Sequence, residues 1–98
     1  MPKQFYVYIV TNGSNKILYT GVTSSLINRI YQHRNHIIKN SFTYKYNLIK
    51  LVYFEQTTDF YIAISREKQI KAGSRQKKID LIEKLNPSWN DLWEEITA

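Results

Sequence analysis

Asn12-Gly13-Ser14-Asn15 is the feature that most restricts what this chain can become. It is a strong turn signal set between two runs of strand-forming residues. Phe5 to Thr11 reads Phe-Tyr-Val-Tyr-Ile-Val-Thr, aromatic or β-branched on both faces, which predicts a buried central strand. Ile17 to Val22 returns as a second strand. If the four turn residues form a symmetric loop, Tyr8 lies directly opposite Tyr19 on one face of the sheet. A one-residue bulge would break that pairing. Gly21 shares the face of Tyr19, and its missing side chain leaves room for a close approach.

Thr23-Ser24-Ser25 offers N-caps for a helix running to about Ile38. On it Leu26, Ile27, Ile30, Tyr31, Ile37 and Ile38 share a broad apolar arc, with Arg29 and His33 just outside one edge. Lys39 to Tyr46 reads as a loop and Asn47 to Glu55 as a third strand. Thr57-Thr58-Asp59 caps a second helix, about Phe60 to Ala72, stopped by Gly73. Ser74 caps a third, about Arg75 to Leu85. After Asn86-Pro87, residues Trp89, Leu92 and Trp93 are expected to fold back on the core. The order β-β-α-β-α-α predicts an α/β (α+β) fold, a small three-stranded, mainly antiparallel sheet flanked by helices. The 98 residues suit one domain, with a core over about 4–85 and a tail over 86–98.

No apolar run is long enough to span a membrane, and with Met1-Pro2-Lys3-Gln4 running straight into the first strand no secretory leader is expected. The expected location is cytoplasmic. With no cysteine, disulfide frameworks and thiolate zinc sites are excluded. Charge gives the remaining direction: 14 Lys+Arg against 8 Asp+Glu leave +6, which points to a polyanionic partner, nucleic acid first. The bases are clustered. Arg29, Arg34, Lys39, Lys45 and Lys50 run without an acid among them, and Arg66, Lys68, Lys71, Arg75, Lys77 and Lys78 form a second group. Such clusters suit a phosphate-tracking surface, although solvated helix faces are the plainer reading. Tyr31, Phe42, Tyr44 and Tyr46 interleave with the first group, for base stacking or for core packing.

Three groups could carry chemistry. Glu67 falls near the middle of the apolar face of its helix, with Lys71 one turn on. A carboxylate facing a core is costly unless paired or metal-bound. It reads either as an i,i+4 pair with Lys71 or as a ligand for a hard cation such as Mg2+. Arg29 and His33, four residues apart, are either an exposed pair or a guanidinium and imidazole serving phosphoryl transfer. His36 reads as a surface residue. The tyrosines mostly signal packing, and a phenol is a useful base only if a neighbour eases its ionisation.

Taken in order, these residues resemble the GIY-YIG nuclease superfamily, in particular its short single-domain bacterial branch. Tyr6-Val7-Tyr8 stands for the first triplet of the naming motif and Tyr19-Thr20-Gly21 for the second. Arg29 follows eight residues after Gly21, His33 four later, and Glu67 sits where the family keeps its carboxylate. Tyr6 replaces a glycine and Thr20 an isoleucine of the motif. The resemblance implies a metal-dependent endonuclease that hydrolyses phosphodiester bonds, on DNA ahead of RNA, with Glu67 holding one Mg2+ or Mn2+ and no small-molecule cofactor. It also implies Tyr8 as general base, with His33 or a lysine easing its ionisation, Tyr19 orienting the water, and Arg29 stabilising the charged transition state. Gly21, Arg34, Lys45, Lys71, Arg75 and Lys78 are the expected nucleic-acid contacts. Many family nucleases carry an asparagine after the glutamate helix; here the candidate is Asn86, with Lys71 or Lys78 as possible substitutes. The competing readings are a nucleic-acid-binding module without cleavage and a protein-interaction role through the Trp89–Trp93 tail.

Overall fold

The computed structural model describes residues 3–37 and 41–98. Strand β1 (Phe5–Thr11) is central in a three-stranded antiparallel sheet, between β2 (Leu18–Thr23) and β3 (Lys50–Thr57). Its both-faces apolar pattern has the expected consequence. Val7 and Ile9 enter a core under helices α3 (Phe60–Ala72) and α4 (Arg75–Leu85). Tyr8 and Val10 enter a second core with Leu26 and Ile30 of α1 (Leu26–Arg34). Between α1 and β3 lies a short helix α2 (Phe42–Lys45), and the chain closes with α5 (Trp93–Thr97).

The hairpin register differs from the symmetric four-residue expectation. Tyr8 pairs with Gly21 and Val10 with Tyr19, so the connection spans 12–17. Asn12 is the cause: its Oδ1 accepts the N–H of Lys16 at 2.8 Å and of Ile17 at 3.3 Å, consuming donors that would otherwise start the ladder. Asn15 takes the left-handed conformation this wider turn needs, with φ 59°. The slip is two residues, an even number, so Tyr8 and Tyr19 keep the same face.

Helix α1 is shorter than its apolar arc suggested, ending at Asn35, while Ile38 lies outside the described residues, as do Met1, Pro2, Lys39 and Asn40. Ser25 makes no side-chain cap; its own N–H goes to Thr23 Oγ1 at 3.0 Å. Part of the expected Lys39–Tyr46 loop is helical, because Ser41 Oγ accepts the Tyr44 N–H and caps α2. Asn47 sits in the left-handed region with φ 56°, which delays β3 to Lys50. A bulge between Ile9 and Val10 turns both Val52 and Tyr53 into the α3–α4 core. Helices α3 and α4 have the expected bounds. Asp59 Oδ1 accepts from Tyr61 and Ile62, and Ser74 Oγ accepts from Lys77.

The tail returns as expected. Leu92 N–H donates to Leu51 O at 2.8 Å, Asp91 Oδ1 accepts from Leu51, and Leu92, Trp93 and Ile96 cover the α1-side core. Among the described residues, no helix is long and apolar enough to cross a membrane.

Candidate active site

Tyr8 leaves the central strand directly opposite Gly21. Because Gly21 has no side chain, the ring lies across β2, and the room left by the glycine is taken by Tyr8 itself. The hydroxyl ends 3.1 Å from His33 Nε2, and the whole residue is buried. His33 is not at the edge of its helix. With Leu26 and Ile30 it forms the buried i, i+4, i+7 face of α1, at 7% exposure. Ile27 and Tyr31, assigned to the apolar arc, face outward instead. The helix is therefore rotated relative to that arc, carrying the imidazole inward.

Around this bond the other candidates gather. Tyr19, half-buried, packs edge-on to His33 with ring centroids 6.3 Å apart. Helix α3 lies against β2 and β1, and its Glu67 falls between the buried Ala63 and Ile70. The Glu67 side chain is only 12% exposed and pairs with the more exposed Lys71 Nζ at 3.1 Å. Lys71 Nζ also stands 5.7 Å over the Tyr19 ring. Glu67 is thus ion-paired along its helix, as one of its two readings expected, and its charge also acts on the Tyr8 hydroxyl. Arg29, half-buried on α1, adjoins an open cleft lined also by Lys3, Phe5, Val22, Phe60 and Ile64.

Electrostatics separates the two central groups. Burial first, and then the neighbouring Tyr19, push the Tyr8 hydroxyl well above the usual phenol range. The Arg29 guanidinium opposes this through its charge and hydrogen bonding, and the Glu67 charge adds to the rise. His33 is lowered to about 4, first by burial and then by the Arg29 charge, so the imidazole is neutral near pH 7. A neutral His33 brings no positive charge to Tyr8; the Arg29 guanidinium is the cation that favours its ionisation, and burial outweighs it.

Among the described residues, no group of three or more histidine or acidic side chains could together hold a metal ion. The donor set still suits a hard divalent cation. Mg2+ commonly takes one or two carboxylate oxygens and completes its shell with water and phosphate oxygens. Glu67 offers such a carboxylate, nearly buried, with an exposed lysine as its partner. It is the residue that would hold the cation.

The expected nucleic-acid contacts divide. Lys45 and Lys71 are exposed beside the site. Arg34 is engaged with the tail: Nη1 lies 2.5 Å from Asp91 Oδ2 and the guanidinium stacks over Trp93 at 5.1 Å. Arg75 donates to Asn15 O in the hairpin turn, and Lys78 Nζ donates to Gly73 O at the end of α3. Arg66 is paired with Glu55 at 2.7 Å. Gly21 is covered by Tyr8. Tyr31, Phe42, Tyr44 and Tyr46 are exposed rather than core, and Phe42 joins Tyr19 to Tyr46 with centroid separations of 6.0 and 4.7 Å. Asn86 is structural: its Nδ2 donates to Val52 O and Asn90 O, holding the tail to β3. His36 is half-buried with φ 54°, its ring edge-on to Tyr44, rather than a plain surface residue.

Thr43 was not singled out by its sequence. It is buried at 4% exposure, with Oγ1 2.9 Å from His33 Nδ1. The signal that could have found it is the Ser41 cap, which starts a helical turn and directs residue 43 inward.

The profile of the GIY-YIG catalytic domain matches residues 4–80. The chain belongs to the GIY-YIG family. It is 38% identical over 82 residues to a UPF0213 protein of Syntrophus aciditrophicus, covering 84% of this chain and 92% of that one. A UPF0213 protein of Pediococcus pentosaceus is 34% identical over 88 residues, covering 90% of each. The solution NMR structure of a UPF0213 protein from Bacillus halodurans superposes with a TM-score of 0.58 at 25% identity, covering 90% of this chain and 92% of that one. Tyr8, Tyr19 and Gly21, the residues matched to the naming motif in the sequence, all lie in the β1–β2 hairpin, within the stretch that the GIY-YIG profile covers.

Proposed function

We propose that this chain is a metal-dependent endonuclease that hydrolyses phosphodiester bonds in nucleic acid, with DNA ahead of RNA. The observation that carries the reading is Glu67, a nearly buried carboxylate whose charge acts on the Tyr8 hydroxyl. A nearly buried carboxylate needs a pair, here Lys71, or a bound cation, and its place beside the perturbed Tyr8 phenol suits a ligand role. With Mg2+ or Mn2+ on Glu67, the cation supplies charge stabilisation at the scissile phosphate. The rest falls to the side chains. Arg29 stabilises the charge that develops on the phosphoryl oxygens in the transition state. Tyr19, the more accessible phenol, orients a water in line with the leaving oxygen. As the water oxygen bonds to phosphorus, its proton passes to Tyr8, and the Tyr8 proton passes to neutral His33 Nε2. The bond to the leaving 3′ oxygen breaks, and that oxygen takes a proton from solvent. This relay avoids forming a free phenolate, which burial disfavours.

The test is a cleavage screen over single-stranded, duplex, flap and branched substrates of DNA and RNA, with Mg2+, with Mn2+ and with chelator. Metal-dependent products are expected, and Glu67→Ala abolishes them while salt-sensitive binding persists. No product from any substrate sinks the enzyme reading. One observation favours the alternative, a binding module without cleavage: Lys71 already neutralises Glu67. Binding with no cleavage under both metals would select it.

A further inference from the structure

The hydrogen bond from Tyr8 to His33 continues beyond the imidazole. His33 Nδ1 lies 2.9 Å from Thr43 Oγ1, and Thr43 Oγ1 lies 3.1 Å from Ser41 Oγ. Three elements therefore share one chain of side chains: β1 through Tyr8, α1 through His33 and α2 through Thr43 and its cap.

Donor and acceptor accounting gives the chain a direction. The Tyr8 hydroxyl is fully buried, and His33 Nε2 is its hydrogen-bonding partner among the described residues. Arg29, the charged neighbour, has only donors. If Nε2 carried the imidazole proton, it would donate to the Tyr8 oxygen and leave the buried phenol proton without an acceptor. Burying an unsatisfied donor costs roughly 1–3 kcal/mol. If Nδ1 carries it, both protons have a place: Tyr8 O–H to Nε2 and Nδ1–H to Thr43 Oγ1. Ser41 Oγ, 3.1 Å from Thr43 Oγ1, also accepts the Tyr44 N–H, which ties the hydroxyl pair to the start of α2.

We propose that Thr43 is a positioning residue that holds His33 in its Nδ1–H tautomer, leaving Nε2 open to take the Tyr8 proton. The catalytic half of this rests on the hydrolase reading above; the tautomer half does not. When the proton from Tyr8 arrives at Nε2, the imidazolium keeps its Nδ1–H bond to Thr43, so the ring does not turn during transfer. His33 then returns the proton to solvent through Tyr8. A serine in place of Thr43 keeps the hydroxyl, whereas a valine keeps the shape and removes the acceptor.

Long-range proton–nitrogen correlation on the 15N-labelled full chain near pH 7 reads which ring nitrogen of His33 is protonated. A protonated Nδ1 is expected, and an Nε2–H tautomer in the parent overturns the proposal without any variant. In Thr43→Val the single tautomer is expected to give way to a mixture, and Thr43→Ser restores it. Cleavage by Thr43→Val is expected to fall in kcat by roughly tenfold or more, as for loss of a group that orients a working histidine, with KM changed less than about twofold. An Nδ1–H tautomer that stays fully populated in Thr43→Val rejects the role of Thr43. Parent protein that holds the Nδ1–H tautomer yet cleaves nothing overturns the hydrolase reading and leaves the tautomer assignment standing.

Discussion

A methyl group built on Gly21 would lie 2.4 Å from the Tyr8 hydroxyl and 2.5 Å from its Cζ. Glycine and tyrosine share one volume across the hairpin. The two are cross-strand partners, so the ring of the central strand lies over the edge strand instead of standing up from the sheet. That tilt is what carries the hydroxyl to His33 on α1. It also gives the glycine of the second motif triplet a packing reason that does not depend on any ligand.

Gly21→Ala therefore displaces Tyr8. A tyrosine side chain often yields to a new methyl group, but this one is fully buried and hydrogen-bonded at its tip. Overpacking of this kind costs typically about 1–3 kcal/mol. Urea unfolding should report a loss of that size, together with a shifted His33 ring signal as its Tyr8 bond breaks. An alanine variant as stable as the parent would show that the ring has room to retreat.

Stability should fall in mild acid. Unfolded His33 binds a proton below its ordinary value of about 6.5. In the folded chain it does so only below about 4, because burial and the Arg29 charge hold the ring neutral. Between those limits the unfolded state takes up more protons. The stabilisation is thus complete above about pH 6.5 and is lost as pH falls towards 4. With allowance for residual solvent screening, about 2 kcal/mol should disappear across that window. Denaturant midpoints at a series of pH values, for the parent and His33→Gln, isolate the contribution. Equal slopes in the two proteins would contradict a buried neutral imidazole.

Thr20 offers a stabilising change. It is 3% exposed, and its Oγ1 is buried with no hydrogen-bond partner among the described residues. Valine keeps the shape, removes the unsatisfied hydroxyl and suits a strand. Thr20→Val should gain about 1 kcal/mol, or roughly 4–8 °C in Tm for a domain of this size. Thermal melting measures it, with Thr20→Ala as the control that removes the hydroxyl and the packing together. An unchanged or lower Tm for valine would mean the hydroxyl finds a partner in solution.

Much of the fold was legible locally. Phe5–Thr11 announces a strand buried on both faces because aromatic and β-branched residues occupy both parities. Asp59 and Ser74 mark the starts of α3 and α4 because short polar side chains take the first free N–H groups of a helix. The same logic failed where a side chain competes with the backbone. Asn12 widened the hairpin by capturing two donors, and Ser41 drew Phe42–Lys45 into a turn of helix. The candidate site residues Tyr8, Tyr19, Arg29, His33 and Glu67 follow from the order of motifs in the sequence. Their mutual arrangement does not, and neither does Thr43.

The sequence by itself determined the elements, the sheet face that carries both tyrosines and the carboxylate set into an apolar helix face, since each depends on spacing along one segment. Only the tertiary structure decided which bases remain for a polyanion and which groups are neutral. Arg34, Arg66, Arg75 and Lys78 are held by partners 57, 11, 60 and 5 residues away in the chain, and no local pattern encodes those distances. The protonation of Tyr8 and His33 likewise follows from burial between layers that meet only after folding, because desolvation acts through the whole surrounding volume and not through neighbours in sequence.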